Sequence, residues 1–282
     1  WPGADLLMAK AAQRARVPYT LSVAGGATIE QAAEAAPDVF WLQLYRFWHD
    51  DHKIGLDLVR RAQAVEAKVL TLTLDVPVRT TRSRETYAGL AHEFRPNLRM
   101  IREMMVRPRW MLALLRHGYP RFATIADYAP PGAWTNEIIA FARARMGGAF
   151  SWEEVKRYRD AWKGPMAVKG VLHPEDAAKA VSLGIEGIWV SNHGGRQIEA
   201  LMPSIDVLPA IVAEVGKKAT IKIIQTDRSE RYINGIVSTF SQGGASQNFA
   251  YYHATIVPWL WLLTRTSDCR IFQNVSVPEI IE

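Results

Sequence analysis

A single cysteine, Cys269, among 282 residues excludes an internal disulfide, and no Cys-x-x-Cys pair or His/Cys cluster offers the ligand spacing of a zinc site. A disulfide or structural-metal framework is therefore not expected. No apolar run reaches the roughly 18 residues that a membrane-spanning helix needs. The first residues, Trp1-Pro2-Gly3-Ala4-Asp5, lack the basic flank and apolar stretch of a signal peptide, so a cytoplasmic, reducing setting is expected. Helix-turn-helix, RRM and zinc-finger patterns are also missing, which argues against nucleic acid as the partner of the +6 net charge. What remains, 49% hydrophobic and 22% charged residues, is the composition of a globular chain long enough for one large or two modest domains.

The first two thirds alternate short apolar runs with amphipathic stretches, the pattern of repeated βα units around a mainly parallel sheet. Helix is expected over 5–16, 54–67, 152–162, 174–183 and 205–215, with another opening at Thr28, whose hydroxyl suits an N-cap. Strands are expected over 19–23, 39–44, 69–74, 166–168 and 187–190. Between 76 and 150 the rhythm breaks, and so long a connection in a compact domain reads as a functional insertion or lid. Much of the positive charge sits there, with seven Arg against two Glu between Glu93 and Arg121. Its mixture of Arg with Met, Trp and Leu suits either an anionic membrane surface, contacted through 95–121, or a cover for the rest of the fold.

Such alternation suits an open doubly wound sheet or a closed (β/α) barrel. Polar residues follow the apolar core of strand after strand: Ser22, Gln43 with Tyr45, Thr73 with Asp75, Lys169, and Asn192 with His193. In a barrel these strand ends converge on one face and would meet around one site. Within Ser191-Asn192-His193-Gly194-Gly195-Arg196-Gln197, a histidine at a strand end can take a proton, two glycines allow close approach to the backbone, and an arginine can hold a carboxylate bidentately. His-Gly-Gly alone reads more readily as a loop histidine with turn glycines and a solvated arginine. Lys169, at the end of a buried strand, calls for an anion or an electron-rich ring, or snorkels at the rim.

Taken together, Ser-Asn-His-Gly-Gly-Arg-Gln, Leu-Gln-Leu-Tyr at 42–45, Leu-Thr-Leu-Asp-Val-Pro at 72–77 and Val-Lys-Gly-Val at 168–171 resemble the FMN-dependent α-hydroxy acid dehydrogenases and oxidases, in order and in spacing. The resemblance implies an incomplete (β/α)8 TIM barrel over residues 1–222, with 76–150 as its insertion. It implies FMN as cofactor and oxidation of a small, lactate-like L-2-hydroxy acid to the 2-oxo acid. His193 would then be the base, Asp75 its partner, Arg196 the carboxylate clamp and Tyr45 a hydrogen-bond donor to substrate. Arg82, counted from Asp75, would be a second substrate arginine, although matching the family's Arg-Glu pair gives Arg84 instead. Lys169 would stabilise negative charge at the N1/O2 edge of the flavin, with Ser22, Gln43 and Thr73 hydrogen-bonding the ring. The intact family also implies a homo-oligomer, and some members sit peripherally on the inner membrane through the insertion.

The resemblance ends near residue 220. The family's Gly-Gly-x-Arg-Arg-Gly phosphate loop and Ile-Gly-Arg segment do not follow, and the first barrel strand is absent, so five or six of eight strands and weakened FMN affinity are expected. Residues 223–282 instead alternate β-branched and aromatic residues around Gly243-Gly244, which reads as antiparallel strands and a hairpin. This β-rich extension of different origin resembles a type VI secretion spike protein in Tyr-Ile-Asn-Gly-Ile-Val-Ser at 232–238 and Val-Pro-Trp-Leu-Trp-Leu-Leu-Thr-Arg at 257–265. A spike or interaction module, or a non-functional fusion, is the alternative reading of the chain.

Overall fold

The structure, a computed structural model, describes residues 1–77, 87, 98–119, 121–215, 219–224, 230–245 and 250–257. Two compact units divide the chain, Trp1–Val207 and Leu208–Glu282.

The first unit is built on five parallel strands, β1 (Tyr19–Ser22), β2 (Phe40–Leu44), β3 (Val69–Thr73), β4 (Met166–Val171) and β5 (Gly187–Val190). They lie side by side in strict chain order. Helices α1 (Ala4–Ala15), α2 (Ile29–Ala35) and α3 (Lys53–Ala64) belong to the first half of this sheet. The order settles the choice that periodicity left open. A doubly wound sheet needs a reversal of strand order to place helices on both faces, whereas sequential strands with right-handed crossovers keep every helix on one face, as in a barrel wall.

Register divides the residues between the two faces. Leu21 pairs with Leu42, Leu42 with Leu70, and Leu72 with Val168; all are buried, and burying each such side chain is worth roughly 1.5–3 kcal/mol. The alternate positions carry Ser22, Gln43, Thr71 and Thr73, and Lys169 lies beside Thr73. One face is thus apolar and the other polar, with the polar groups concentrated toward the strand C-termini.

The insertion contains helices α4 (Leu98–Met105), α5 (Pro108–His117), α6 (Ala123–Ala126) and α7 (Thr135–Arg145). Its later part is tied down. Ala123 N donates to Gly25 O at 3.1 Å, Arg61 of α3 pairs with Glu30 at 2.8 Å and Asp127 at 2.9 Å, and the Tyr128 hydroxyl donates to Asp57 at 2.5 Å. Helix α8 (Trp152–Ala161), α9 (Pro174–Ser182) and α10 (Ser204–Val215) follow. Capping boxes start α2 and α8: Thr28 Oγ1 accepts from Gln31 N, Ser151 Oγ accepts from Glu154 N, and the Gln31 and Glu154 side chains return the bond. Each cap is worth about 0.5–2 kcal/mol. Pro174 occupies the first turn of α9, as its missing N–H allows.

In the second unit, β6 (Ala219–Ile224), β7 (Glu230–Ala245) and β8 (Ala250–Val257) form an antiparallel sheet in chain order. Gly243 and Gly244, expected at a hairpin turn, lie inside β7, where the register shifts between Gln242 and Ala245. The glycines accommodate an irregularity in the ladder, and the connection to β8 comes after them.

Candidate active site

The polar face of the sheet begins at β1 with Ser22, whose Oγ accepts from Ala24 N at 3.3 Å, and whose register partner is Gln43. From there Gln43 Nε2 donates to Thr73 Oγ1 at 2.6 Å, both side chains being buried. An amide and a hydroxyl so placed are oriented by one another, which leaves the Gln43 carbonyl oxygen fixed in direction. Tyr45, half-buried, follows β2 directly.

At the ends of β3, β4 and β5 the charges converge. Asp75, with a side chain only 6% exposed, accepts from His193 Nδ1 at 2.9 Å through Oδ1 and stands 3.6 Å from Lys169 Nζ through Oδ2. Lys169 Nζ donates to Ser191 Oγ at 3.1 Å, and the same Oγ accepts from His193 N at 3.0 Å. Lysine, aspartate, histidine and serine therefore form one connected group, drawn from three strand ends. Gly170 makes the approach of Asp75 possible. Its φ is +104°, in the region glycine tolerates and other residues resist, and a β-carbon there would overlap Asp75.

His193 to Gly195 form a short 3-10 turn, with φ of 57°, 64° and 67° at the three residues. Three left-handed residues in succession are costly for side chains with a β-carbon, which explains why two of them are glycine. Asn192 stabilises the turn: its Oδ1 accepts from Gly194 N at 3.0 Å, its Nδ2 donates to Met202 O at 3.3 Å, and its N donates to Ser204 Oγ at 3.2 Å. Arg196 follows, exposed, its N donating to His193 O at 3.2 Å.

Of the residues expected at the site, His193, Asp75 and Lys169 are brought into direct contact, and Gln43 and Thr73 into another. Arg82, and the alternative Arg84, lie outside the described residues. Ser191, which heads the motif, was given no role from the sequence, although it bridges Lys169 and His193; its place one residue beyond β5 was the available signal. Ser204 is a second support, too far along the chain for spacing to have suggested it.

Chemically, a histidine whose Nδ1 is held by a carboxylate can exchange a proton at Nε2, and the carboxylate favours the imidazolium form. Among the described residues, Thr71 Oγ1, Gln197 Oε1 and Asp75 Oδ2 are buried oxygens without a hydrogen-bond partner, the last having only its ion pair with Lys169. A row of amide, hydroxyl and ammonium groups along one polar face suits the heteroatom edge of a flavin ring, so the residues present fit that part of the cofactor. Among the described residues no group of three His, Cys, Asp or Glu could hold a metal ion.

The FMN-dependent dehydrogenase family matches residues 1–224, and the phage tail baseplate hub (GPD) family matches residues 207–282. L-lactate dehydrogenase of Azorhizobium caulinodans is 36% identical over 218 residues, which are 77% of this chain and 57% of that protein. (S)-mandelate dehydrogenase of Pseudomonas putida is 32% identical over 222 residues, 78% of this chain and 55% of the relative. A solved structure of a monotopic membrane protein, (S)-mandelate dehydrogenase, superposes with a TM-score of 0.70 at 32% identity, covering 77% of this chain and 57% of that one. The chain thus spans little more than half the length of the relatives it matches, and the five parallel strands are part of their barrel.

Proposed function

Because this chain belongs, over residues 1–224, to the FMN-dependent dehydrogenase family, we propose that its site oxidises a small L-2-hydroxy acid, lactate or a close analogue, to the 2-oxo acid. The observation that carries this reading is the hydrogen bond from His193 to Asp75 beside Lys169. Oxidation removes two electrons and two protons from the hydroxyl-bearing carbon and its oxygen. FMN, when bound, would accept the two electrons together with one of the protons. His193 takes a proton from substrate, and Asp75 stabilises the resulting imidazolium. Arg196, and Arg82 or Arg84 with it, pair with the substrate carboxylate, and Tyr45 hydrogen-bonds the substrate. Ser22, Gln43 and Thr73 would hold the ring, with Lys169 as the cation that would favour negative charge at its edge.

The test is the visible spectrum of the full chain after loading with FMN and removal of free flavin, followed by anaerobic L-lactate. Retained flavin bands that bleach support the reading. Absence of retained flavin removes the family's activity from this chain.

A second reading is favoured by the baseplate-hub match over residues 207–282. In it the chain divides into a partial barrel, 1–222, and a β-rich module, 223–282, and the β-rich module is the part that docks to a spike assembly. Co-purification with spike components, unchanged when His193 is replaced, supports that reading.

Peripheral membrane contact through 95–121 is a further part of the proposal. Met105, Val106, Leu112 and Leu115 are exposed on α4, α5 and the turn between them, among Arg102, Arg107, Arg109 and Arg116. Apolar side chains flanked by cations suit an anionic lipid surface. Among the described residues, no helix is long and apolar enough to cross a membrane.

A further inference from the structure

Away from the polar face of the sheet, the loop from β2 to α3 carries three consecutive non-glycine residues with left-handed backbone, Asp50, Asp51 and His52, at φ of 50°, 53° and 61°. Such a run is unfavourable for residues that carry a β-carbon and persists only where the surroundings over-determine it. Each of the three has its own charged partner, on the last helix of the insertion or on α8 just beyond it. Asp50 pairs with Arg145 at 3.0 Å, Asp51 accepts two bonds from Arg157 at 2.5 and 2.7 Å, and His52 Nε2 meets Glu154 Oε1 at 2.9 Å.

Glu154 is the centre of this strap. Its carboxylate takes both Arg46 Nε at 2.9 Å and Arg46 NH2 at 2.6 Å, besides His52 and the amide of Ser151 at 2.8 Å. Four donors satisfy its lone pairs, so its position is set from four directions. Below it lies Tyr158, fully buried, whose hydroxyl is 3.3 Å from His52 Nδ1 and whose ring stands edge-on to His52 and Phe150. Gly55 lies against that hydroxyl with no room for a β-carbon. The backbone of the same loop is held as well: Arg46 O accepts from Gly147 N at 2.9 Å, and Phe47 forms a β-bridge with Met146.

Arg46 and Phe47 are the residues immediately after Tyr45, and on its other side β2 is bonded into the sheet. Tyr45 therefore sits at the junction of two anchored segments. We infer that Glu154 is a positioning residue for the substrate site: by gripping Arg46 and His52 it sets the backbone that presents Tyr45, and so joins the start of α8, just past the 76–150 insertion, to substrate binding. The part concerning substrate rests on the proposed function; the part concerning the loop does not. A carboxylate at 154 that only stabilised the fold would act on the whole first unit alike. A positioning carboxylate acts on residues 45–52 first.

The experiment compares the full wild-type chain with Glu154→Gln, Glu154→Asp, Tyr45→Phe and the Glu154→Gln/Tyr45→Phe double variant. Amide hydrogen exchange is read without flavin or substrate. Glu154→Gln is expected to speed exchange in peptides covering 45–52 by about tenfold or more, the loss of charge-assisted bonds being enough for that, while 166–171 stays at the wild-type rate and Glu154→Asp restores part of the protection. Unchanged exchange at 45–52, or an equal rise in both regions, overturns the inference. In FMN-loaded chains, KM for L-lactate is expected to rise in Glu154→Gln with little change in flavin retention, and the double variant to be no worse than Tyr45→Phe, because coupled residues are not additive. Fully additive losses overturn the link to Tyr45. A wild-type chain that retains no flavin defeats the proposed function, and the exchange measurement still decides the positioning of the loop.

Discussion

Gly170 lies so close to Asp75 that a β-carbon on Gly170 would overlap both Cβ and Cγ of the aspartate. The contact ties the irregular end of β4 to the residue that holds His193, so that backbone geometry on one strand governs an imidazole on another.

Gly170→Ala is therefore expected to move Asp75 and to strain a backbone at φ +104°, with a stability loss of about 1–3 kcal/mol. Urea denaturation followed by circular dichroism measures the loss. If the chain oxidises L-lactate, turnover in this variant should fall more steeply than stability does, since the aspartate moves even in molecules that remain folded. A wild-type denaturation midpoint would show that Asp75 is not constrained by this contact.

Lys169→Met removes the cation beside Asp75 and Ser191 while keeping a side chain of similar length. FMN retention is expected to weaken on the order of tenfold, the scale of one charge-assisted hydrogen bond. Equilibrium dialysis with flavin fluorescence reads the change. Undiminished retention would place the flavin's charged edge away from Lys169.

Acid titration should expose the strap around Glu154. Burial works against its charged form, and the Arg46 guanidinium, the Ser151 amide and the neighbouring His52 together overcome it, bringing the carboxyl from an ordinary 4.5 to about 2. A depressed folded-state pKa stabilises the fold above the unfolded value and is lost as pH falls through the folded one. The contribution of Glu154 is thus complete above pH 4.5 and declines toward pH 2. Urea midpoints measured across that interval should fall less steeply in Glu154→Gln than in wild type. Parallel curves would mean that the carboxylate is not held as the geometry indicates.

Membrane contact predicts that the full chain sediments with vesicles containing anionic lipid and is released by salt. Leu112→Gln with Leu115→Gln, two exposed positions on α5, should lower partitioning by on the order of tenfold or more. Sedimentation that ignores both salt and these replacements would assign the binding to another part of the chain.

Local signals in the sequence located most of the first unit. β5 has the bounds expected from its apolar run, and Thr28 and Pro174 start their helices for the reasons expected of them. The charged part of the site was legible because each residue stands at a strand end, where parallel strands bring distant positions together. The extension of β4 through Lys169 and Gly170 to Val171 was not legible, because a glycine and a lysine weaken a strand pattern that pairing with β3 and β5 maintains. The four helices of the insertion were missed although α4 and α5 are strongly amphipathic, because no strand separates them and the expected alternation of strand and helix is broken there. Nor does any local pattern link Arg46 to Glu154, 108 positions apart; only the fold makes them neighbours. The sheet of the second unit was expected as antiparallel, but the role of Gly243 and Gly244 inside β7 depends on a register that neighbouring residues cannot specify.

The anchoring of the insertion has a consequence for how such a protein can change. Asp75 is locked at one end by His193 and Gly170, and Ala123 and Thr124 are bonded to Gly25 and Ala27 at the other. Residues 76–122 run between these two seams. Under the proposed membrane contact, changes of length or surface chemistry between the seams would alter docking while the contacts of Asp75 with His193 and Gly170 stay in place.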